Sequence, residues 1–144
     1  MDPSDVRRAV LAEHRQIRQR LDDLLEQAHG GADAATLLTT CQALLPVLLD
    51  HIDLEDRILV PALREADSFG DVRVDMLVRH HEAQRVELRT AIAALGQPGT
   101  ERAAILQAVR TLVYDLRIDM AEEDRDLLSP EVLRDDLIQL TPGS

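Results

Sequence analysis

Two stretches of this chain place a potential metal ligand four residues before a glutamate: His51-Ile-Asp-Leu-Glu55 and Asp119-Met-Ala-Glu-Glu123. Both run on as Asp-Arg-x-Leu, so Glu55 and Glu123 stand 68 residues apart in the same local frame. On a helix, positions i and i+4 share a face about 6 Å apart along the axis. Each pair can therefore aim at one point. Imidazole and carboxylate so placed suit either a divalent cation or an ion pair on a helix surface.

The flanking residues bear on that choice. Before His51 come Cys41, Leu44 and Leu48, and after Glu55 comes Leu59; before Asp119 come Val109, Leu112 and Leu116, and after Glu123 comes Leu127. These steps of three and four mark a buried helical stripe. His51, Glu55, Asp119 and Glu123 thus occupy positions where the pattern asks for leucine. Buried charge without a partner is too costly to persist, and pairing or metal coordination is the usual remedy.

Long helices must carry these residues. The spacing predicts a first helix over 5–28, capped by Ser4 and stopped by Gly30-Gly31, with Val10, His14, Ile17, Leu21 and Leu24 inside. A second helix over 34–65 starts at an Asp33 cap, with bends expected at Pro46 and Pro61. A third, over 71–95 with Asp71 as cap, puts Leu77, His81, Gln84, Leu88 and Leu95 on its stripe. A fourth opens at Thr100 and ends near Leu128, and Ser129-Pro130 predicts a short C-terminal helix over 131–140. The fold expected is all-α: an up-down-up-down four-helix bundle with a short tail helix, one domain over 1–144. Helices 1 and 2 repeat as helices 3 and 4, since Leu11-x-x-His14 corresponds to Val78-x-x-His81 at an offset of 67.

Composition agrees with such a core and narrows the partners. Apolar residues make up 45% and aromatics 1%, so the interior is aliphatic, which suits packed helices. All 16 basic residues are arginine against 27 acidic ones, and the net charge of −11 argues against nucleic acid or an anionic membrane as partner. No apolar run of transmembrane length and no signal peptide is read, giving a cytoplasmic expectation. Cys41 is the single cysteine and reads as a small core residue.

One inward residue at similar height on each helix converges on a bundle axis. His14, His51, Glu55, His81, Asp119 and Glu123 would then meet as three imidazoles and three carboxylates, a set that divalent cations balance better than mutual pairing. On the third helix the periodicity selects His81 over its neighbour His80, which reads as a flank residue or an outer hydrogen bonder. His29 reads as a helix-end residue. Glu122 and Asp124 read as solvated, and Tyr114 lies off the stripe.

These residues resemble the hemerythrin-like, or HHE cation-binding, domains. The matching motifs are His14 in Leu-Ala-Glu-His-Arg-Gln-Ile, His51 and Glu55 in His-Ile-Asp-Leu-Glu-Asp-Arg-Ile-Leu-Val-Pro, and Glu123 in Glu-Glu-Asp-Arg-Asp-Leu-Leu. The resemblance spans about residues 4–130. It implies a cofactor of two iron ions in an oxo- or hydroxo-bridged di-iron centre that meets O₂, peroxide or NO. Two departures stand out: Asp119 replaces the family's helix-4 histidine, and Arg85 stands where oxygen carriers have a second helix-3 histidine. Two six-coordinate irons need about twelve donor positions, of which six protein ligands with two bridging carboxylates fill about eight. The site expected is more open and carboxylate-rich than an oxygen carrier's. Oxidoreductase activity at the metal, a sensing role exerted on a partner in trans, and a metal-free scaffold all stay open at this level.

Overall fold

The computed structural model describes residues 1–135. Among them every regular element is helical: α1 (Pro3–His29), α2 (Ala34–Leu54), a π-helical turn (Glu55–Leu59), α3 (Val60–Ala66), α4 (Gly70–Leu95) and α5 (Arg102–Asp126). α2, the π turn and α3 follow one another without a break, so four long rods carry the fold.

The stripes bury as their spacing dictates. Val6, Val10, His14, Ile17, Leu21, Leu24 and Ala28 face inward on α1, and Leu37, Cys41, Leu44, Leu48, His51 and Ile52 on α2. The apolar core is in two parts. One cluster holds Ile17 to Ala28, Leu37 to Ile52, Leu88, Leu95 and the α5 residues Ile105 to Met120. The other holds Val6, Val10, Leu59, Leu63, Val74, Leu77, Leu128 and Leu133. On each rod a polar residue falls between the two: His14 between Val10 and Ile17, Glu55 between Ile52 and Leu59, His81 between Leu77 and Leu88, and Glu123 between Met120 and Leu128, with His51 one turn before Glu55. The core is therefore cut by one polar layer.

Where the chain departs from regular α-helix, proline explains it. The helix continues through Pro46, which has no N–H to give its ladder, and the change of helix type comes at Glu55–Leu59. Pro61 has no N–H to donate, and its ring crowds the carbonyl four residues earlier. A wide turn upstream relieves this, closed by the Val60 N–H donating to the Glu55 carbonyl. The turn therefore begins at the residue that becomes the centre of the site.

Three helix starts differ from the sequence reading. Asp2, not Ser4, is the N-cap residue of α1, with Pro3 in its first turn. Ser4 instead donates its backbone N–H and its hydroxyl to the Asp135 carboxylate, tying α1 to the segment after α5. α4 begins at Gly70 rather than after an Asp71 cap, because its first turn lies directly on α3: a Cβ on Gly70 would sit 2.3 Å from the Leu63 carbonyl oxygen. α5 begins at Arg102, and the Thr100 hydroxyl turns back to the Gln97 carbonyl. Asp33 does cap α2, accepting from the Thr36 N–H at 2.8 Å. Over 131–134 the tail helix expected over 131–140 is replaced by turns with Leu133 buried, and residues 136–140 of it lie outside the described residues.

By length and composition the continuous helix Ala34–Ala66 could cross a membrane, which corrects the sequence reading that no such stretch exists. Its inward side chains from Leu37 to Leu63 belong to the two core clusters and the polar layer, as in a core helix of a folded domain.

Candidate metal centre

Glu55 is the hub of the polar layer. Its side chain is 1% exposed, and its two oxygens face different imidazoles. Oε2 lies 3.5 Å from His14 Nε2 and 3.5 Å from His51 Nε2, while Oε1 lies 3.0 Å from His81 Nε2. Glu123, on α5, brings Oε1 to 3.2 Å from His14 Nε2. Ligand atoms of His14, His51, Glu55 and Glu123 all lie within 4.8 Å of one another.

Three buried atoms in this layer make no hydrogen bond: His14 Nε2, Glu55 Oε2 and Glu123 Oε1. Leaving such atoms unsatisfied costs about 1–3 kcal/mol each, more where charge is involved. All three converge on the same point. Nitrogen and oxygen donors without thiolate suit a hard or borderline cation, so the residues fit a metal ion chemically as well as by position.

The far side of each imidazole is held. His14 Nδ1 lies 2.6 Å from Asp124 Oδ1, and Arg18 donates to the other oxygen of Asp124 at 2.6 Å. His81 Nδ1 lies 2.6 Å from Asp56 Oδ1, and Arg85 donates to the other oxygen of Asp56. His51 Nδ1 has a longer contact, 3.4 Å to Glu13 Oε1. An Nδ1–H donated outward leaves the Nε2 lone pair facing in, the arrangement that orients and strengthens histidine as a ligand.

Asp56 and Asp124, which hold two of the imidazoles, are not picked out by the helical spacing, which gives Asp124 a solvated place. A signal for them was present. His14 and Arg18 repeat as His81 and Arg85 at an offset of 67, and Glu55-Asp56 repeats as Glu123-Asp124 at 68. Each His–Arg pair of one half clasps the Asp of the other half.

Asp119 faces the seam between α4 and α5, with its side chain 26% exposed. Its Oδ2 accepts from Gln84 Nε2 at 3.2 Å and lies 3.5 Å from His80 Nε2. His80 is 42% exposed, whereas His81 is fully buried. His29 is exposed at the end of α1, and Tyr114 is exposed on α5.

Electrostatics without a cation are strained. Burial disfavours the His14 cation, but Glu123 and Glu55 outweigh it and raise its pKa to about 10. Burial, followed by the nearby Glu55 carboxylate, raises Glu123 to about 7 even though His14 opposes the shift. Burial works against the Glu55 carboxylate too, yet His14, His51 and His81 hold it well below the usual range. Two carboxylates compete for the same imidazoles, and a cation between them would relieve the competition.

Fold and cluster together define an all-helical protein with interior side chains that could hold a metal ion. The profile of the hemerythrin HHE cation-binding domain matches residues 5–130, and the chain belongs to that family. Comparison with curated proteins and with solved structures gives no match.

Proposed function

We propose that the polar layer is a di-iron centre in an up-down-up-down four-helix bundle, and that the protein binds or turns over O₂, peroxide or NO there. The bundle topology is supported by the order in which the rods meet the two apolar clusters. α1 and α4 meet the Val6 cluster first, while α2 and α5 meet the Ile17 cluster first.

The observation that carries the di-metal reading is the divided Glu55 carboxylate, one oxygen toward His14 and His51 and the other toward His81. A carboxylate facing two sets of imidazoles is placed to bridge two cations. His14, His51, Glu55 and Glu123 would hold one, and His81 with Glu55 the other, with Asp119 the further donor on the α4–α5 side. Asp119 would have to leave Gln84 and His80 to serve, so this second position is the more open of the two.

A di-iron pair, when bound, supplies electrons and vacant coordination positions to a small molecule. The chain's own residues do the rest. Asp124 and Asp56 hold the Nδ1 protons of His14 and His81 and fix both rings. The apolar clusters on either side keep bulk water from the layer. A void of about 20 Å³ beside Glu55, lined by Ile17, Leu48, Leu88, Leu116 and Met120 among others, is large enough for about one water-sized molecule.

Iron identity rests on family membership and the donor set. Anaerobic Fe(II) loading followed by air should produce the near-ultraviolet absorption of a diferric centre, quenched or shifted by NO or azide. A loaded sample with no such absorption would overturn the di-iron reading.

A further inference from the structure

The polar layer is closed on most sides but not along α4 and α5. A groove of about 350 Å³ runs between them, lined by Arg73, Met76, Leu77, His80, Asp119, Glu122, Glu123, Asp126 and Leu127. Asp119 and Glu123 also line the 20 Å³ void beside Glu55. A second groove on the same seam, about 270 Å³ and nearer Ala108, shares Asp119, Gln84, Leu88 and Leu116 with that void. A further groove, about 410 Å³ between the start of α1 and α3, shares no lining residue with the void.

We propose that the α4–α5 groove is the route by which a divalent cation reaches the centre, and that Asp119, held by Gln84 and His80, is its gate. The proposal rests on the metal-centre reading above. Exposure falls along the path, from His80 at 42% through Asp119 at 26% and Glu123 at 11% to Glu55 at 1%. Glu123 ends the groove with an oxygen that has no hydrogen-bond partner. Four carboxylates line the groove against Arg73 and His80; Arg73 is paired with Asp67, and Asp126 with Arg125. A cleft with that balance and apolar walls of Met76, Leu77 and Leu127 concentrates cations at its mouth. Asp119 lies where groove and void meet, so a cation passes beside its carboxylate, and a hydrogen bond from Gln84 with a 3.5 Å contact to His80, both on α4, fixes that carboxylate across the gap.

The test is stopped-flow uptake of Co(II) by the full chain stripped of metal, read by ligand-field absorption, with stoichiometry taken at the end point. Met76 is 70% exposed on the groove wall, and Val86 is 63% exposed on the same helix but outside it. Met76→Trp should slow uptake several-fold and leave the end point unchanged, while Val86→Trp should match the parent. The double variant Glu122→Gln, Asp126→Asn should slow uptake roughly tenfold at low ionic strength, an effect that salt removes. Gln84→Leu, which releases one side of Asp119, should speed it.

Parental rates in Met76→Trp and in the double variant would overturn the route, as would equal slowing by Val86→Trp. A parental rate in Gln84→Leu would overturn the gate. A parent chain that takes up no Co(II) would overturn the metal-centre reading itself, and the route with it.

Discussion

His81 Nδ1 lies 2.6 Å from Asp56 Oδ1, the same distance that separates His14 Nδ1 from Asp124 Oδ1. The first contact joins α4 to the π turn and the second joins α1 to α5, so each crosses between the repeated halves of the chain. Both aspartates are held in turn by an arginine four residues after the histidine, Arg85 and Arg18.

These clasps predict a shared phenotype. Asp56→Ala or Asp124→Ala removes no donor from the centre but frees an imidazole ring, and metal affinity should fall about 10–100-fold. Competition against a chelator of known affinity checks it. Affinity within twofold of the parent in both variants would leave the aspartates without an orienting role.

Arg85 stands where oxygen carriers have a second helix-3 histidine, and its guanidinium is committed to Asp56 and Asp53. Arg85→Ala should weaken metal binding in the same direction as Asp56→Ala and by less, since the Asp56–His81 contact remains. The double variant should lose no more than Asp56→Ala alone, because both act through the same ring. Additive losses in the chelator competition would separate them.

The metal-free protein should lose stability as pH rises. His14 has a folded pKa of about 10 against an ordinary 6.5, so its contribution is fully present below 6.5 and lost as pH rises through 10. Glu123, at about 7 against an ordinary 4.5, shifts the same way: its contribution is present below 4.5 and lost as pH rises through 7. Glu55 is depressed, so its contribution is present above 4.5 and lost only as pH falls through its lowered pKa. Melting temperature in the presence of chelator should therefore fall between pH 6.5 and 10. A flat or rising profile would show that the layer is not ionised as its contacts imply.

Much of this was legible in the sequence because apolar residues at three- and four-residue steps can only be the inner faces of helices. The inward placement of His14, His51, Glu55 and His81 follows from the same spacing. Asp56 and Asp124 were not legible that way: each lies one position off a stripe, where a carboxylate is ordinarily solvated, and only the packing of the two halves brings a histidine to it. Helix starts failed for a related reason. Ser4 has the chemistry of a cap, yet Asp135, 131 residues away, takes its donors. The π turn is a response to Pro61 that depends on where α3 must go to meet α4.

That meeting is tight at Gly70. A Cβ there would approach the carbonyl oxygens of Leu63 and Arg64 to 2.3 and 2.6 Å, and backbone cannot yield as a side chain can. Gly70→Ala should destabilise the fold by about 1–3 kcal/mol, by forcing α4 away from α3. Chemical denaturation measures it, and a stability equal to the parent would show that the two helices separate without cost.

Iron content is the most direct measure of a centre at Glu55. Protein loaded anaerobically with Fe(II), freed of excess metal and assayed for iron per chain should hold about two ions, since the buried donors bind metal only when folded around it. Less than about half an ion per chain, from protein shown to be folded, would contradict a metal centre at Glu55.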